Sequence, residues 1–167
     1  MEKPVGAQEQ VHDKEKRAQM EARLNSFLKK MNWAPVDGCS DFDDRLKDIQ
    51  VSLRTADKSA DETSEARITQ REDGFAFSVD AAFSDPEAMS GEGPAFDDLR
   101  VSFRLNAADL TLVRSKQFKD VDGADYKSGE DGIQPEAMAF LGEAIEERLA
   151  AFIRNEQLPE SERQQSW

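Results

Sequence analysis

Residues 75–83, FAFSVDAAF, decide the fold of this chain. Large apolar side chains alternate there with small or polar ones, and this period of two is typical of a β-strand with one buried face. The residues Glu72-Asp73-Gly74 immediately before the segment are a strong turn signal. A weaker strand pattern at 66–71 precedes the turn, so the sequence predicts a β-hairpin around it.

Three further strands are predicted outside this hairpin. Apolar residues alternate at 49–54 and at 99–105, and another apolar segment covers 110–115. Polar loops are predicted at 57–65 and at 84–98, and the second of them also contains glycine and proline. These segments predict a sheet of about five strands whose neighbours run mostly antiparallel.

Two amphipathic helices flank the strands. Apolar residues recur every three or four positions within Met20–Met31 and again within Met138–Phe152. Asp13 is predicted to cap the first helix, and Pro135 stands where the first turn of the second helix tolerates proline. The charged residues on the other side of the first helix, Arg23 among them, are expected to face solvent.

The order of these elements predicts the α+β fold class. The alternating strands need one covered face, and the two amphipathic helices can cover it. We therefore expect a two-layer domain over residues 13–156, with the N- and C-terminal helices packed on one face of a roughly five-stranded, mostly antiparallel sheet. Residues 1–12 and 157–167 are polar and are expected to be flexible tails. Trp33 is expected in the core, whereas Trp167, at the end of a polar tail, is hard to bury.

Charge and composition restrict the classes of function. Asp and Glu number 35 against 22 Lys and Arg, and the formal net charge is −13, so the surface repels DNA, RNA and anionic lipid unless a basic patch is segregated on one side. No stretch approaches the roughly 18 consecutive apolar residues of a membrane span, and the first residues lack an apolar signal segment. The single cysteine, Cys39, cannot form a disulfide within the chain, so a cytoplasmic location is expected. We expect neither direct nucleic-acid binding nor a membrane partner.

The pleat assigns several arginines to the sheet face away from the helices. If the large apolar residues face the helices, the arginines that share the other face are Arg54, Arg67, Arg71, Arg100 and Arg104. Arginine makes two-pronged contacts with carboxylates, so this face is predicted to hold an acidic peptide, an anionic ligand or a second copy of the chain. The predicted partner-binding residues are Arg54, Arg71, Asp80, Arg100 and Arg104. Alternatively, these arginines pair with Asp80, Glu72 and loop carboxylates and only keep the face hydrated.

The sequence offers few candidates for catalysis or metal binding. His12 lies in the predicted N-terminal tail, and the carboxylates beside Cys39 work against an activated thiol. Asp80, near Arg100 or Arg104, is the best candidate for a general base. The protein is nevertheless predicted not to be an enzyme, and neither a cofactor nor a metal is expected. The weak candidate for a calcium site is an acidic loop whose spacing fails the EF-hand pattern; its carboxylates are Asp120, Asp122, Asp125, Glu130 and Asp131.

The leading hypothesis is a non-enzymatic, acidic, cytoplasmic module that binds another protein. Such a module could be an adaptor, a chaperone-like protein or an assembly component of bacterial or phage origin. In general outline, the order of helix, antiparallel sheet and helix resembles the small acidic class I chaperones of bacterial type III secretion. That resemblance implies a dimer that binds effector proteins. Those chaperones carry a helix in mid-sheet, where residues 84–98 predict a loop in this chain.

Two alternatives remain open. An acidic inhibitor could imitate nucleic acid and block a basic nucleic-acid-binding protein, because helical carboxylates three and four residues apart stand near phosphate spacing. The candidate residues for that role are Glu143, Glu146 and Glu147. A small-molecule binder or an enzyme would instead use Asp80 near Arg100 and Arg104. Surplus apolar residues on the second helix, such as Phe140 and Ile153, are consistent with a homodimer contact.

Overall fold

The computed structural model describes residues 5–55, 68–85, 98–120, 122–127 and 132–167, with side chains described from Lys14 onward. Within these ranges, two helices precede and follow five strands. In chain order, the elements are helix α1 (Val5–Met31), strands β1 (Gln50–Arg54), β2 (Ile68–Gln70), β3 (Gly74–Ser84), β4 (Leu99–Asn106) and β5 (Leu112–Arg114), and helix α2 (Pro135–Glu156). Short 3-10 turns lie at Cys39–Asp41, Asp44–Leu46 and Glu160–Glu162. The predicted α+β fold is confirmed.

The strands form one antiparallel sheet around β3 and β4. Residues 74–81 of β3 lie opposite residues 99–106 of β4. β1 pairs with the second half of β3 and β2 with its first half, so these two strands share one side of β3. β5 extends the other side of the sheet, opposite residues 103–105 of β4. All of these described strand pairs are antiparallel, as the alternating pattern predicted.

One face of the sheet packs against both helices. The odd-numbered residues of β3 from Phe75 to Phe83 are buried, as are Val101 and Phe103 of β4. The residues between them on β3 are partly exposed, with the exception of Ala82. Apolar residues of α1 within Leu24–Met31 and of α2 within Leu141–Phe152 join the strand residues in a single cluster. The burial of this apolar surface holds the two layers together.

The start of α2 is fixed by a carboxylate from the loop before β1. Pro135 opens the helix, as predicted, because a first-turn residue has no intrahelical partner for an N–H. The backbone N–H of Gln134 donates to Oδ2 of the buried Asp43 at 2.9 Å. The Arg45 backbone and side chain donate to Oδ1 of Asp43 at 3.0 and 3.2 Å. Burial raises the pKa of Asp43, but these hydrogen bonds outweigh it and the net pKa lies below its ordinary value.

Helix α1 departs from its prediction at two points. It begins at Val5 instead of Asp13, so residues 5–12 belong to the helix and not to a tail. The Ala, Gln and Glu residues there are good helix formers, so their polar composition also suits a helix. The expectation that Arg23 faces solvent is wrong, because Arg23 is buried against Glu156 of α2. Its Nε and NH2 donate to Oε2 and Oε1 of Glu156, each at 2.7 Å.

The C-terminal residues pack back onto the two helices. The backbone N–H of Trp167 donates to Ser26 Oγ at 2.9 Å. The Trp167 ring lies edge-on to Phe27, with centroids 5.3 Å apart, and 5.9 Å from the ring of Phe152. The indole therefore finds an aromatic cluster at the seam between α1 and α2, in contrast to the flexible tail expected at 157–167. Of the described helices, neither α1 nor α2 combines the length and apolarity needed to cross a membrane.

Candidate functional site

A row of charged side chains crosses the sheet face away from the helices. Arg54 of β1 lies opposite Asp80 of β3, and Asp80 lies opposite Arg100 of β4. The Arg100 guanidinium donates to both carboxylate oxygens of Asp80, from Nε at 2.8 Å and from NH2 at 3.0 Å. These hydrogen bonds raise the pKa of Arg100 above its ordinary value. Asp80 and Arg100 thus neutralise each other at the centre of the face, as the pairing alternative predicted.

Arg54 closes this row at the edge of the sheet. Its NH1 donates to Asp98 Oδ2 at 3.0 Å, and its guanidinium lies 5.2 Å from the centre of the Trp33 ring. Trp33 is 51% exposed, so its predicted place in the core is wrong. Its backbone has a φ of 65°, and its N–H donates to the Leu53 carbonyl at 2.6 Å. This left-handed turn after α1 leaves the indole beside Arg54, where a cation–π contact forms.

Beyond this row, a groove of about 640 Å³ runs over β2, β3, β4 and β5. We call it the arginine groove. Its charged and hydroxyl-bearing lining residues are Arg71, Arg100, Arg104, Arg114, Thr69, Ser78, Ser102 and Ser115. The apolar lining residues are Ala76, Phe77, Phe103 and Val113. Among the described residues that line it there is no carboxylate, although the whole chain carries a net charge of −13.

The four arginines of the arginine groove differ in their availability. Arg100 is paired with Asp80, and Arg114 donates from Nε to Glu146 Oε1 of α2 at 3.0 Å. Arg71 and Arg104 are exposed, and neither forms an ion pair with any described carboxylate. These two guanidinium groups are the cations that the groove offers to a ligand.

The structure gathers most of the predicted partner-binding residues. Arg71, Arg100 and Arg104 line the arginine groove, whereas Arg54 and Asp80 lie on the same face outside its lining. Arg67 falls outside the described residues. The sequence reasoning missed Val113 and Arg114, because the segment 110–115 was not assigned to faces. The length of the tight turn after β4 could have predicted this pairing, because it places Val113 opposite Arg104.

The acidic row predicted on α2 is interrupted by an ion pair. Glu143 and Glu147 are exposed, but Glu146 is engaged by Arg114. Two of the three carboxylates are left to imitate phosphates. The inhibitor that mimics nucleic acid stays a prediction.

The predicted calcium loop uses its carboxylates for internal contacts. Asp120 Oδ1 accepts from the backbone N–H groups of Asp122 and Ala124 at 2.9 and 3.0 Å, and Asp125 pairs with Lys119. Glu130 and Asp131 lie outside the described residues. Within the described part of the chain, no group of three or more His, Cys, Asp or Glu residues is placed to hold a metal ion.

Cys39 is buried, in keeping with an unreactive thiol. Burial, and next the charge of Asp37, raise the pKa of Cys39 to about 11. The thiolate that a nucleophile requires is therefore strongly disfavoured near neutral pH. The side chain of His12, the other predicted candidate, lies outside the described side chains.

A second groove, of about 860 Å³, lies between α1, two turns of the sheet and the C-terminal residues. Its charges are of both signs: the basic lining residues are Lys14, Lys16, Arg17, Arg23 and Arg163, and the acidic ones are Glu72, Asp73, Glu156 and Glu160. Several of these charges are already engaged, since Arg17 donates to the backbone carbonyls of Arg71 and Glu72. The arginine groove is therefore the more selective of the two for the sign of a ligand's charge.

No match to this chain was found among protein-family models, curated proteins or solved structures.

Proposed function

We propose that this protein is a non-catalytic binding module whose arginine groove holds an acidic segment of another protein. The observation that carries the proposal is the pair Arg71 and Arg104: both are exposed in the groove, neither pairs with a described carboxylate, and no carboxylate is among the described lining residues of this strongly acidic chain. Mixed charge would suffice to keep a sheet face hydrated. Segregation of one sign instead favours a ligand of the other sign.

The chemistry of the groove favours carboxylates over nucleic acid. The planar guanidinium fork of arginine matches a carboxylate with two parallel hydrogen bonds, and the hydroxyl groups of the lining add further donors. Single-stranded bases need exposed aromatic rings on which to stack. The aromatic rings of the groove, Phe77 and Phe103, are buried. A nucleic acid would also approach a body with a net charge of −13.

The side chains near the groove support binding more than catalysis. Asp80, the predicted general base, has both carboxylate oxygens occupied by Arg100. With both oxygens bonded to a neighbouring side chain, this carboxylate is poorly placed to reach a substrate. Cys39 is buried and carries a raised pKa. A lone, unpaired cysteine also suits the reducing cytoplasm, where we place the protein.

The test uses a synthetic peptide of alternating Glu and Thr residues and titration calorimetry in about 0.15 M salt, which screens long-range repulsion between two acidic molecules. Arg71→Glu/Arg104→Glu is expected to weaken binding by at least about tenfold, because both available cations become repulsive. The matched control is Lys30→Glu/Arg154→Glu, which reverses two exposed helix charges and gives the same net charge. The control should stay within about threefold of the parent protein. Equal losses in both variants, or no binding by the parent, would refute the proposal.

A further inference from the structure

The outer edge of β5 carries backbone groups that have no partner among the described residues. Arg104 and Val113 lie opposite each other. The residue pairs two positions away on either side are joined by backbone hydrogen bonds, and such pairs recur at every second position of an antiparallel ladder. Arg104 and Val113 are therefore also a hydrogen-bonded pair. The N–H and C=O groups of Leu112 and Arg114 therefore point away from β4. No described residue donates to them or accepts from them. They form a short open edge that borders the arginine groove.

The other edges of the sheet are less suited to an acidic ligand. The outer side of β1 is occupied by the chain before it, since Val36 donates to Val51 and Leu53 donates to Ala34. β2 is flanked by a carboxylate of α1, because the Gln70 side chain bonds to Glu21 at 2.8 Å. Arg71 directly follows β2, so that edge carries both a cation and the carboxylate of Glu21, whereas the edge of β5 borders Arg104.

The charges around β5 decide what can occupy its edge. Val113 is 57% exposed on the open face, beside the exposed Arg104, and Lys116 follows two residues after the strand. A second copy paired edge to edge would bring a second set of these cations to the same part of the open face, whereas an acidic segment would neutralise them. On the opposite face of β5, Arg114 is already paired with Glu146 of α2. Carboxylates of a ligand are thus favoured on the open face and disfavoured on the side of α2.

We propose that the acidic segment binds as an added β-strand along β5, with acidic side chains at alternate positions. Its backbone exchanges hydrogen bonds with Leu112 and Arg114, and its acidic side chains share the open face with Arg104. The residues between them face α2 and are neutral. This inference rests on the proposed function, and it adds the conformation and the sequence pattern of the partner.

Amide hydrogen exchange read by NMR tests the inference with the same Glu-Thr peptide. The amides of Leu112 and Arg114 are expected to exchange fast in the free protein and about tenfold or more slowly in the complex. The Val113 amide, which already bonds to β4, serves as the internal reference and changes little. Unchanged exchange at Leu112 and Arg114 in a saturated complex would overturn strand addition.

Two variants at one position give an independent readout. Leu112→Pro removes an outward N–H that the free sheet does not use, and proline is tolerated on edge strands in this orientation. Leu112→Ala keeps the N–H and removes a comparable part of the side-chain packing. Binding is expected to fall by at least about tenfold in Leu112→Pro and by less than about threefold in Leu112→Ala. Equal affinities of the two folded variants would overturn the inference.

The outcomes separate the inference from the proposed function. Binding that depends on Arg71 and Arg104 but leaves the Leu112 and Arg114 amides unprotected keeps the proposed function and removes strand addition. If the parent protein does not bind the peptide at all, both the proposed function and strand addition are refuted. Protection of the two amides together with the proline effect supports strand addition.

Discussion

Replacement of Glu156 by glutamine is expected to lower the free energy of unfolding by about 3–5 kcal/mol, the cost of removing one partner of a buried ion pair. The side chain of Glu156 is 0% exposed and that of Arg23 is 5% exposed. Both carboxylate oxygens accept from Arg23 at 2.7 Å, so a glutamine must present its NH₂ group to one of two donors. The variant therefore keeps the shape of the side chain and leaves a buried, uncompensated guanidinium. Since a domain is stable by about 5–15 kcal/mol, this loss brings the protein near the limit of folding.

Urea unfolding followed by circular dichroism measures this effect. The matched control is Asp125→Asn, which breaks the ion pair with Lys119. The side chain of Asp125 is 60% exposed and that of Lys119 is 43% exposed. Its expected cost is below about 1 kcal/mol, because solvent screens such a pair. The double replacement Arg23→Met/Glu156→Leu should recover much of the loss, since apolar side chains of similar volume can fill the site without a buried charge. A cost below about 1 kcal/mol for Glu156→Gln, or a double variant no better than the single one, would refute the reasoning.

Substitutions at three further positions test other parts of the fold. Gly74→Ala is expected to destabilise the protein by about 1–3 kcal/mol in the same unfolding assay, because a Cβ there would overlap the backbone carbonyl oxygen of Leu105, which cannot move aside. Trp167→Ala should cost about 1–3 kcal/mol by emptying the aromatic seam, whereas Trp167→Phe should cost less; equal costs would contradict the packing of the ring. Because the folded-state pKa of Asp43 lies below its ordinary value, its carboxylate stabilises the fold above about pH 4 and this contribution is lost as the pH falls through the lowered pKa. Asp43→Asn should therefore be less stable than the parent at pH 7, with a gap that narrows towards pH 3; a gap independent of pH would show that the bonds to Gln134 and Arg45 do not depend on the charge of Asp43.

The strand layer was predictable because alternation is a local signal. The period of two in 75–83 fixes which residues are buried, and the same parity places Arg71, Arg100 and Arg104 on the open face before any pairing is known. The ends of the strands were less accurate. Within 110–115, only Leu112–Arg114 form β5, because residues 110 and 111 belong to the turn after β4 and Ser115 follows the strand.

The features that sequence reasoning missed depend on contacts between distant residues. Arg23 shares its pattern with exposed charges on α1, and only Glu156, 133 residues away, makes its burial tolerable. Trp167 follows a polar segment, and its place is provided by Phe27 and Phe152 on two different helices. Arg114 lies at the border of the groove because a short edge strand brings it there, but its side chain faces α2, where it pairs with Glu146.

The two tryptophans make the protein its own optical probe. Trp33 is half exposed beside Arg54 on the open face, whereas Trp167 lies in the aromatic seam between the helices. The chain contains no other tryptophan. In Trp167→Phe, the emission spectrum would come from Trp33 and would respond to occupation of the face that carries Arg54. In Trp33→Phe, it would come from Trp167 and would follow the separation of the two helices, so the two variants report the two events separately and without a label.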